Sequence, residues 1–241
     1  MKVIVTNSYD ETCAVIANRI KELVNAKPDA KLGLATGGTP VPIYKKLIEM
    51  NKAGEVDFSR VHTVNLDEYC GIPGTHDQSY RYFMDTNLFD HINIDKKNTF
   101  VASGMGDFEA NARELEEKVR EGGAADLQLL GIGNNAFNEA SDHLIAVAHT
   151  EKLTESTINA NARFFASRDD VPTHAYTMGI GSIMKAKRVL LVVNGEKKAQ
   201  AVKDCFFGPI KPQAPGSILQ LHPDFTLVAD EAALSLVKDL L

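Results

Sequence analysis

Two patterns of apolar and polar positions alternate along the chain. Short runs of β-branched and other apolar residues are followed by longer stretches in which apolar residues recur at helical spacing. This order is typical of an α/β fold in which helices cover both faces of a mostly parallel sheet. The predicted strands are residues 2–6, 32–35, 61–65, 127–132, 175–178, 189–193 and 227–229.

The first predicted helix carries the clearest signals. Ser8 and Glu11 have the spacing of a capping box, in which side chains satisfy the free N–H groups of the first turn. Apolar residues then recur on one helical face, which indicates an amphipathic helix packed on the sheet. They are Cys13, Ile16, Ala17, Ile20, Leu23 and Val24. Helical period is also well developed in residues 108–120, 196–205 and 231–241.

Length and composition indicate one ordinary globular unit. The chain has 241 residues, near-average composition, no low-complexity tract and no Pro/Gly-rich linker, so we expect a single domain over residues 1–241. The formal net charge is −6, and no stretch concentrates Lys and Arg. This argues against nucleic acid or an anionic membrane as the main partner, so any basic group that binds an anion must act locally.

The N-terminus and the cysteines predict a cytoplasmic protein without disulfides. The first apolar run is too short for a signal peptide, and no segment approaches the length needed to span a bilayer. Cys13, Cys70 and Cys205 are far apart, odd in number and without CxxC spacing. They signal neither a disulfide framework nor a zinc site, and we expect thiols in or near the core.

The segment LGLATGGTP runs from a predicted strand into a turn that suits phosphate. Gly37 and Gly38 let the backbone approach a ligand, and Pro40 suits the first position of a helix. Free N–H groups and the helix dipole would then face an anion. The alternative is a tight strand-to-helix turn in which Thr39 is an ordinary N-cap.

Two further loops follow predicted strands and carry carboxylates. Asp67 and Glu68 come directly after residues 61–65, and Glu139 follows a glycine-containing loop after residues 127–132. In parallel sheets such loops meet at one edge, where ligands bind. A carboxylate in a partly dry pocket can abstract a proton next to a carbonyl or imine carbon. The alternative is that Asp67 caps the next segment and Glu68 is solvated.

Several separated blocks along nearly the whole chain, in the right order, resemble the glucosamine-6-phosphate deaminase family. They are LGLATGGTP, NLDEYCGI followed by HDQSYRYFM, LLGIG with FNE, STINANARFF, MGIGSIMKAKRVLLVVNGEKKAQAV and SILQLHPDFTLVADEAA. The resemblance implies a Rossmann-like three-layer α/β/α sandwich. It also implies that an amino sugar phosphate is converted to fructose 6-phosphate with release of ammonia, without a redox cofactor or a catalytic metal.

The resemblance assigns a phosphate site to five residues. Gly37, Gly38 and Thr39 would cradle the substrate phosphate through backbone and hydroxyl groups. Arg163 and Lys198 would be its cationic partners, since a guanidinium donates two parallel hydrogen bonds and an ammonium adds a point charge.

The resemblance also assigns the catalytic side chains. Asp67 matches the general base that takes a proton from C2 of the open-chain sugar and returns one at C1. Glu68 and Tyr69 would then support it. Asn135 and Glu139 match the catalytic positions of the loop after residues 127–132.

That loop departs from the family pattern. After Ala136 the sequence continues at once with Phe-Asn-Glu, whereas the family places His-Ile-Gly (or Ala) before this block. The missing His helps to open the pyranose ring, and imidazole suits both proton transfers near neutrality. Nothing in the sequence places His143 in the gap, so we expect it to be a solvated loop residue. The prediction is a deaminase with weakened ring opening.

Other interpretations stay open. One is a 6-phosphogluconolactonase-like hydrolase, against which the NLDEY, HDQSY and FNE blocks argue. Another is a non-catalytic sugar-phosphate-binding protein, which the missing His makes credible. The family contains single-chain forms and regulated hexamers. The short C-terminus favours a monomer over a homo-oligomer.

Overall fold

The structure, a computed structural model, describes residues 1–132, 138 and 140–241. In these residues the central sheet is formed by β1 (Lys2–Thr6), β2 (Lys31–Leu34), β3 (His62–Asn65), β5 (Thr99–Phe100), β6 (Leu127–Gly131), β9 (Val189–Val193) and β10 (Phe225–Asp230). Its strand order is β1-β10-β9-β6-β2-β3-β5, and every pair is parallel. The predicted α/β sandwich with a mostly parallel sheet is confirmed.

Helices cover both faces of this sheet. They are α1 (Tyr9–Ala26), α2 (Val41–Lys52), α3 (Tyr80–Asn87), α4 (Phe108–Arg120), α6 (Ile180–Met184) and α7 (Ala199–Phe206), whereas α5 (Glu155–Asn161) packs in a separate small apolar cluster. One apolar cluster packs α1, α2 and α3 against one face, and a second packs α4, α6 and α7 against the other. In the part of the chain that the structure describes, no helix is long and apolar enough to cross a membrane.

Helix α1 confirms the predicted Ser8 cap, whereas the Glu11 carboxylate bonds the residue before the cap and not Ser8 itself. The Ser8 hydroxyl accepts a hydrogen bond from the Glu11 N–H, and the Glu11 carboxylate accepts one from the Asn7 N–H at 2.8 Å. The predicted apolar face is buried apart from Leu23, which is partly buried. Cys13, like the other two cysteines, is free and buried, as expected.

A second, three-stranded sheet is antiparallel and corrects one prediction. It has the order β4-β8-β7, formed by β4 (Asp67–Tyr69), β8 (His174–Thr177) and β7 (His149–Lys152). Residues 175–178 were expected to join the parallel sheet, which is wrong, although the strand itself is present. Apolar alternation reports that a strand is buried but not which strand it pairs with. Here β4 leaves the central sheet directly after β3 and provides the partner.

The C-terminal helix predicted for residues 231–241 is also wrong. The segment forms turns and a short 3₁₀ helix, Lys238–Leu240. Its backbone bonds are mostly of the i→i−3 type, as from Ser235 N–H to Ala232 O and from Val237 N–H to Leu234 O. Apolar residues at a spacing of three satisfy both conformations, so periodicity alone does not separate them. Helix 196–205 is present, with a 3₁₀ first turn over Glu196–Lys198.

The direction in which successive strands are added to the sheet reverses between β2 and β6. From β2 the chain continues to β3 and β5 on one side, and from β6 it continues to β9 and β10 on the other. Open α/β sheets bind ligands at the carboxyl ends of the strands at such a switch point. The loops after β2, β3, β6 and β9 therefore lie where a ligand is expected to bind.

At the amino ends of the strands, a buried carboxylate links β2 and β6. Asp126 accepts hydrogen bonds from the Lys27 ammonium at 2.6 Å, the Lys187 ammonium at 2.8 Å and the Lys31 N–H at 2.9 Å. Burial raises its pKa, but these hydrogen bonds outweigh burial and lower the pKa to about 2. Asp126 thus fixes the amino ends of β2 and β6 relative to each other.

We expect Asp126→Asn to lower the free energy of unfolding by about 1–3 kcal/mol at pH 7, because two ammonium groups lose a charged acceptor. The folded pKa lies below the ordinary value of about 3.9, so the contribution is complete above about pH 4 and is lost as the pH falls towards about 2. Urea unfolding of both proteins across this range measures it. Asp29→Asn, at an exposed position, is the control; a difference that does not shrink on acidification would contradict the assignment.

Candidate active site

The turn after β2 is open, and both of its glycines are exposed. Gly37 adopts a φ of +87°, which favours glycine. A Cβ added to Gly37 or Gly38 would meet nothing within 4 Å, so both glycines face free space. Helix α2 begins at Val41 after Pro40 as N-cap, without a side-chain capping bond. The alternative in which Thr39 is the N-cap is therefore wrong, and Pro40 lies one residue before the first helical position that the sequence favoured for it.

Two tyrosines hold this turn in place. The Tyr9 hydroxyl donates to the Thr39 carbonyl, and the Tyr44 hydroxyl donates to the Ala35 carbonyl. Tyr44 is fully buried and Tyr9 packs against the same apolar cluster, so both hydroxyls are fixed by the core. The backbone of the turn is thus oriented before a ligand arrives, which lowers the entropic cost of binding.

Arg163 and Lys198 lie close enough to interact electrostatically. Arg163 belongs to a 3₁₀ turn after α5, and Lys198 is the residue before α7. Partial burial of Lys198 and the positive charge of Arg163 lower the pKa of its ammonium group. In the described residues neither side chain has an ion pair with a carboxylate, although Arg163 stacks on Phe164 at 4.6 Å. Two neighbouring cations without a counter-charge suit a multivalent anion.

Asp67 occupies the first position of β4, where its backbone pairs with Thr177. It is half-buried, and no hydrogen bond joins its carboxylate to a described residue. Burial, and secondarily the charge of Glu68, raise the pKa of Asp67 to about 8. A carboxylate in this state accepts a proton readily, as a general base requires.

Glu68 has a different task, and the alternative that it is solvated is wrong. Its side chain is buried, with 1% of the residue exposed. It accepts three backbone hydrogen bonds, from the N–H groups of Tyr69 at 2.8 Å, Tyr80 at 2.9 Å and Arg81 at 3.0 Å. Burial raises the pKa of Glu68 to about 7 against the opposing effect of these bonds. Glu68, not Asp67, fixes the first turn of α3.

Asn138 is a residue that the sequence analysis missed. Its side-chain amide donates to the Thr177 hydroxyl and to the Met178 carbonyl, both at 3.0 Å. Thr177 is the strand partner of Asp67, so Asn138 ties the Phe-Asn-Glu block to the strand beside the candidate base. The only signal in the sequence is its position within that block.

The other predicted loop residues differ in what the structure says of them. Asn135 and Glu139 lie outside the described residues, so their predicted roles stay predictions. His143 is exposed, as expected. Its backbone N–H donates to the Ser141 hydroxyl, which in turn donates to the His143 carbonyl.

A cavity of about 380 Å³ adjoins the candidate base. Its polar described lining includes Asp67, Asn138 and Thr177, and its walls are otherwise largely apolar. Neither the glycine turn nor Arg163 and Lys198 are among these lining residues. The structure thus places Asp67 at a cavity and Arg163 and Lys198 outside it, with Arg163 exposed and Lys198 partly buried.

Comparison with known proteins places the chain among sugar-phosphate enzymes. Residues 6–227 match the family described as glucosamine-6-phosphate isomerases/6-phosphogluconolactonase. A glucosamine-6-phosphate deaminase of Clostridium perfringens (strain 13 / Type A) is 50% identical over 242 aligned residues, which cover 99% of this chain and all of that protein.

Solved structures agree. The structure of a monomeric glucosamine-6-phosphate deaminase superimposes with a TM-score of 0.94 at 41% identity, covering 98% of this chain and 100% of that one. A 6-phosphogluconolactonase from Thermotoga maritima gives a TM-score of 0.74 at 18% identity, covering 95% and 99% of the two chains. The second similarity reflects a shared fold alone.

We expect Arg163→Ala and Lys198→Gln each to weaken the binding of inorganic phosphate by about 10- to 100-fold, since each removes a charged donor. Isothermal titration calorimetry measures the affinity. Arg168→Ala is the matched control, because Arg168 follows on the same segment but pairs with Glu155. Equal affinity in the unaltered protein and the Arg163→Ala variant would remove Arg163 from the anion site.

Proposed function

The chain belongs to the glucosamine-6-phosphate isomerase/6-phosphogluconolactonase family, and we propose that it converts glucosamine 6-phosphate and water to fructose 6-phosphate and ammonia. The observation that carries this function is the Asp67 carboxylate. It lines a cavity, lacks a protein hydrogen bond among the described residues and has a raised pKa. It follows β3, the immediate neighbour of the strand that ends in the glycine turn.

The phosphate would bind at the turn after β2. Its oxygens would accept hydrogen bonds from the backbone N–H groups of Gly38 and Thr39 and from the Thr39 hydroxyl. Arg163 and Lys198 would neutralise its charge, which removes the mutual repulsion that they carry in the free protein. Adjacent parallel strands lie roughly 5 Å apart, so a hexose anchored at β2 can extend across to the end of β3.

Asp67 would then move one proton. Its carboxylate takes the C2 proton of the open-chain amino aldose while the C1 carbonyl oxygen takes a proton from water, and an enolamine forms. Return of the Asp67 proton to C1, with transfer of one N–H proton to the hydroxide left by that water, gives the C2 imine. Water adds to this imine and ammonia leaves, which produces the ketose without change of overall oxidation state. Holding the proton between the two carbons requires a base whose pKa is near the working pH.

Ring opening is the step that the shortened loop weakens. The substrate is a closed pyranose until a proton leaves the anomeric hydroxyl and another reaches the ring oxygen. The sequence between Ala136 and Phe137 lacks the imidazole that would mediate both transfers. Spontaneous opening still supplies the open-chain form, so turnover continues at a reduced rate.

A second candidate follows from the same loop. If the shortened loop abolishes the later chemical steps as well as assisted ring opening, the protein binds sugar phosphate without turning it over and acts as a sensor. Lactone hydrolysis has less support, because solved lactonases share only the fold at 18% identity. We also propose that the protein is a cytoplasmic enzyme and a monomer, and the monomeric deaminase of similar structure supports the monomeric state.

These candidates separate in a single assay. The protein is incubated with glucosamine 6-phosphate while ammonia and fructose 6-phosphate are followed, and with 6-phosphogluconolactone in parallel. Stoichiometric release of both products supports the deaminase. Binding without turnover supports the sensor, and lactone hydrolysis alone would refute the deaminase proposal.

The decrease of kcat/KM on the acid side of its pH profile (the acid limb) should reflect protonation of the Asp67 carboxylate. Because the ionised carboxylate is the active form, kcat/KM rises as the pH increases through about 8. Asp67→Asn should reduce kcat by about 100- to 10,000-fold at every pH. Glu68→Gln removes the neighbouring negative charge and should move the limb to lower pH. Ionisation of the substrate affects the unaltered protein and Glu68→Gln equally. If kcat/KM falls over the same pH range in both proteins, the Glu68 charge does not raise the pKa of Asp67.

Insertion of His-Ile-Gly after Ala136 should raise kcat for the closed-ring substrate by about 100-fold or more, since it supplies the missing acid–base group. Ammonia release measures the gain. Insertion of Ala-Ile-Gly at the same position restores the loop length without the imidazole and is the control. An equal rate in all three proteins would show that this gap does not limit the reaction.

A further inference from the structure

One buried hydrogen bond joins the segment that carries Arg163 to the strand that carries Asp67. The Asn161 side-chain amide donates to the Tyr69 phenol oxygen at 2.8 Å. Both residues are buried, with 1% of Asn161 and 3% of Tyr69 exposed. Arg163 comes two residues after Asn161, and Asp67 comes two residues before Tyr69.

The Tyr69 end of this bond is rigid. Its backbone pairs with Ala175 in the antiparallel sheet, and its N–H donates to the buried Glu68 carboxylate at 2.8 Å. The Tyr80 ring packs on it with the centroids 5.1 Å apart. Tyr69 can therefore act as a fixed reference point for a neighbouring segment.

The Arg163 end depends on outside support. Arg163 is exposed and stands in a single 3₁₀ turn, Ala162–Phe164. Phe165 contacts the edge of Tyr69 with the ring centroids 5.8 Å apart. A small apolar cluster of Tyr69, Leu153, Ile158, Val171 and Ala175 lies beneath this segment. Residues on both sides of Arg163 thus contact Tyr69: Asn161 through a hydrogen bond and Phe165 through its ring.

We propose that Asn161 and Tyr69 are positioning residues whose hydrogen bond sets the Arg163 guanidinium relative to the Asp67 carboxylate. The inference rests on the proposed function. Apolar packing allows a short turn to slide or rotate, whereas a buried hydrogen bond fixes one direction and one distance. The bond makes the phosphate end and the proton-transfer end of the site one unit. Loss of the bond therefore misplaces the phosphate with respect to the base.

A double-mutant cycle on phosphate affinity tests the link. Asn161→Leu keeps much of the side-chain volume and removes the donor. Alone it should weaken inorganic phosphate binding by about 3- to 30-fold, and in an Arg163→Ala background it should have little further effect. A purely structural role for Asn161 predicts the opposite, an equal loss in both backgrounds, and that additivity would overturn the proposal.

Two further variants guard against misfolding. Tyr69→Phe keeps the ring but removes the hydroxyl, which bonds both Asn161 and Tyr80, so it should weaken phosphate binding at least as much as Asn161→Leu does. Asn159→Ala changes an exposed residue of the same helix that contacts Arg168, and it should leave the affinity unchanged. Thermal unfolding of each variant establishes that it is folded under the assay conditions.

The steady-state parameters provide a second readout. In Asn161→Leu both an increased KM and a decreased kcat are expected, because the phosphate is bound less tightly and in the wrong place. A change in KM alone would limit Asn161 to phosphate binding and would contradict coupling to Asp67. Absence of ammonia release from the unaltered protein would refute the proposed function instead. The phosphate cycle would still decide whether Asn161 positions Arg163.

Discussion

The site depends on parallel strand pairing around β2. Leu34 at the end of β2 is in register with Asn65 at the end of β3, and the next N–H, of Leu66, still donates to the Leu34 carbonyl at 3.2 Å. This register fixes where the glycine turn leaves one strand and where Asp67 follows the other. A slip of one residue would turn each side chain to the opposite face of the sheet. The relative positions of the glycine turn and Asp67 are therefore set by backbone hydrogen bonds before any side chain contributes.

The charges around this edge are less well paired than those elsewhere in the described residues. Elsewhere a buried carboxylate such as Asp126 is matched by two ammonium groups. At the site, Arg163 and Lys198 repel each other and Asp67 stands beside Glu68. Unpaired charge in a partly dry environment destabilises the folded state, and such arrangements cluster at functional sites. The same contrast explains why Asp67 has a raised pKa and Asp126 a lowered one.

The sequence allowed the fold class, the main strands and the glycine turn to be predicted, because periodicity and glycine placement are local properties. It did not reveal the antiparallel sheet, because the pairing of β8 with Asp67 and Tyr69 depends on residues over 100 positions away. The buried role of Glu68 was missed for a similar reason. A carboxylate that accepts three backbone N–H groups looks in the sequence like any other acidic residue after a strand. Likewise, the roles of Asn138 and Asn161 depend on their hydrogen bonds to Thr177 and Tyr69, which lie far away in the sequence.

The contacts of the loop after β6 limit what its shortening can disturb. Asn138 is bound to Thr177 and Met178, and farther along the chain the Ile145 carbonyl accepts a hydrogen bond from the Ile180 N–H at 2.9 Å. The Ala148 N–H then donates to Glu116 at 2.8 Å. The missing residues fall before Asn138, so the anchors that follow are all present. Asp67 and its strand partner Thr177 are also held by the pairing of β4 with β8, which lies outside the gap. A defect from the shortening should therefore affect proton transfer to and from the closed ring, while phosphate binding and the proton shift between C2 and C1 keep their supports.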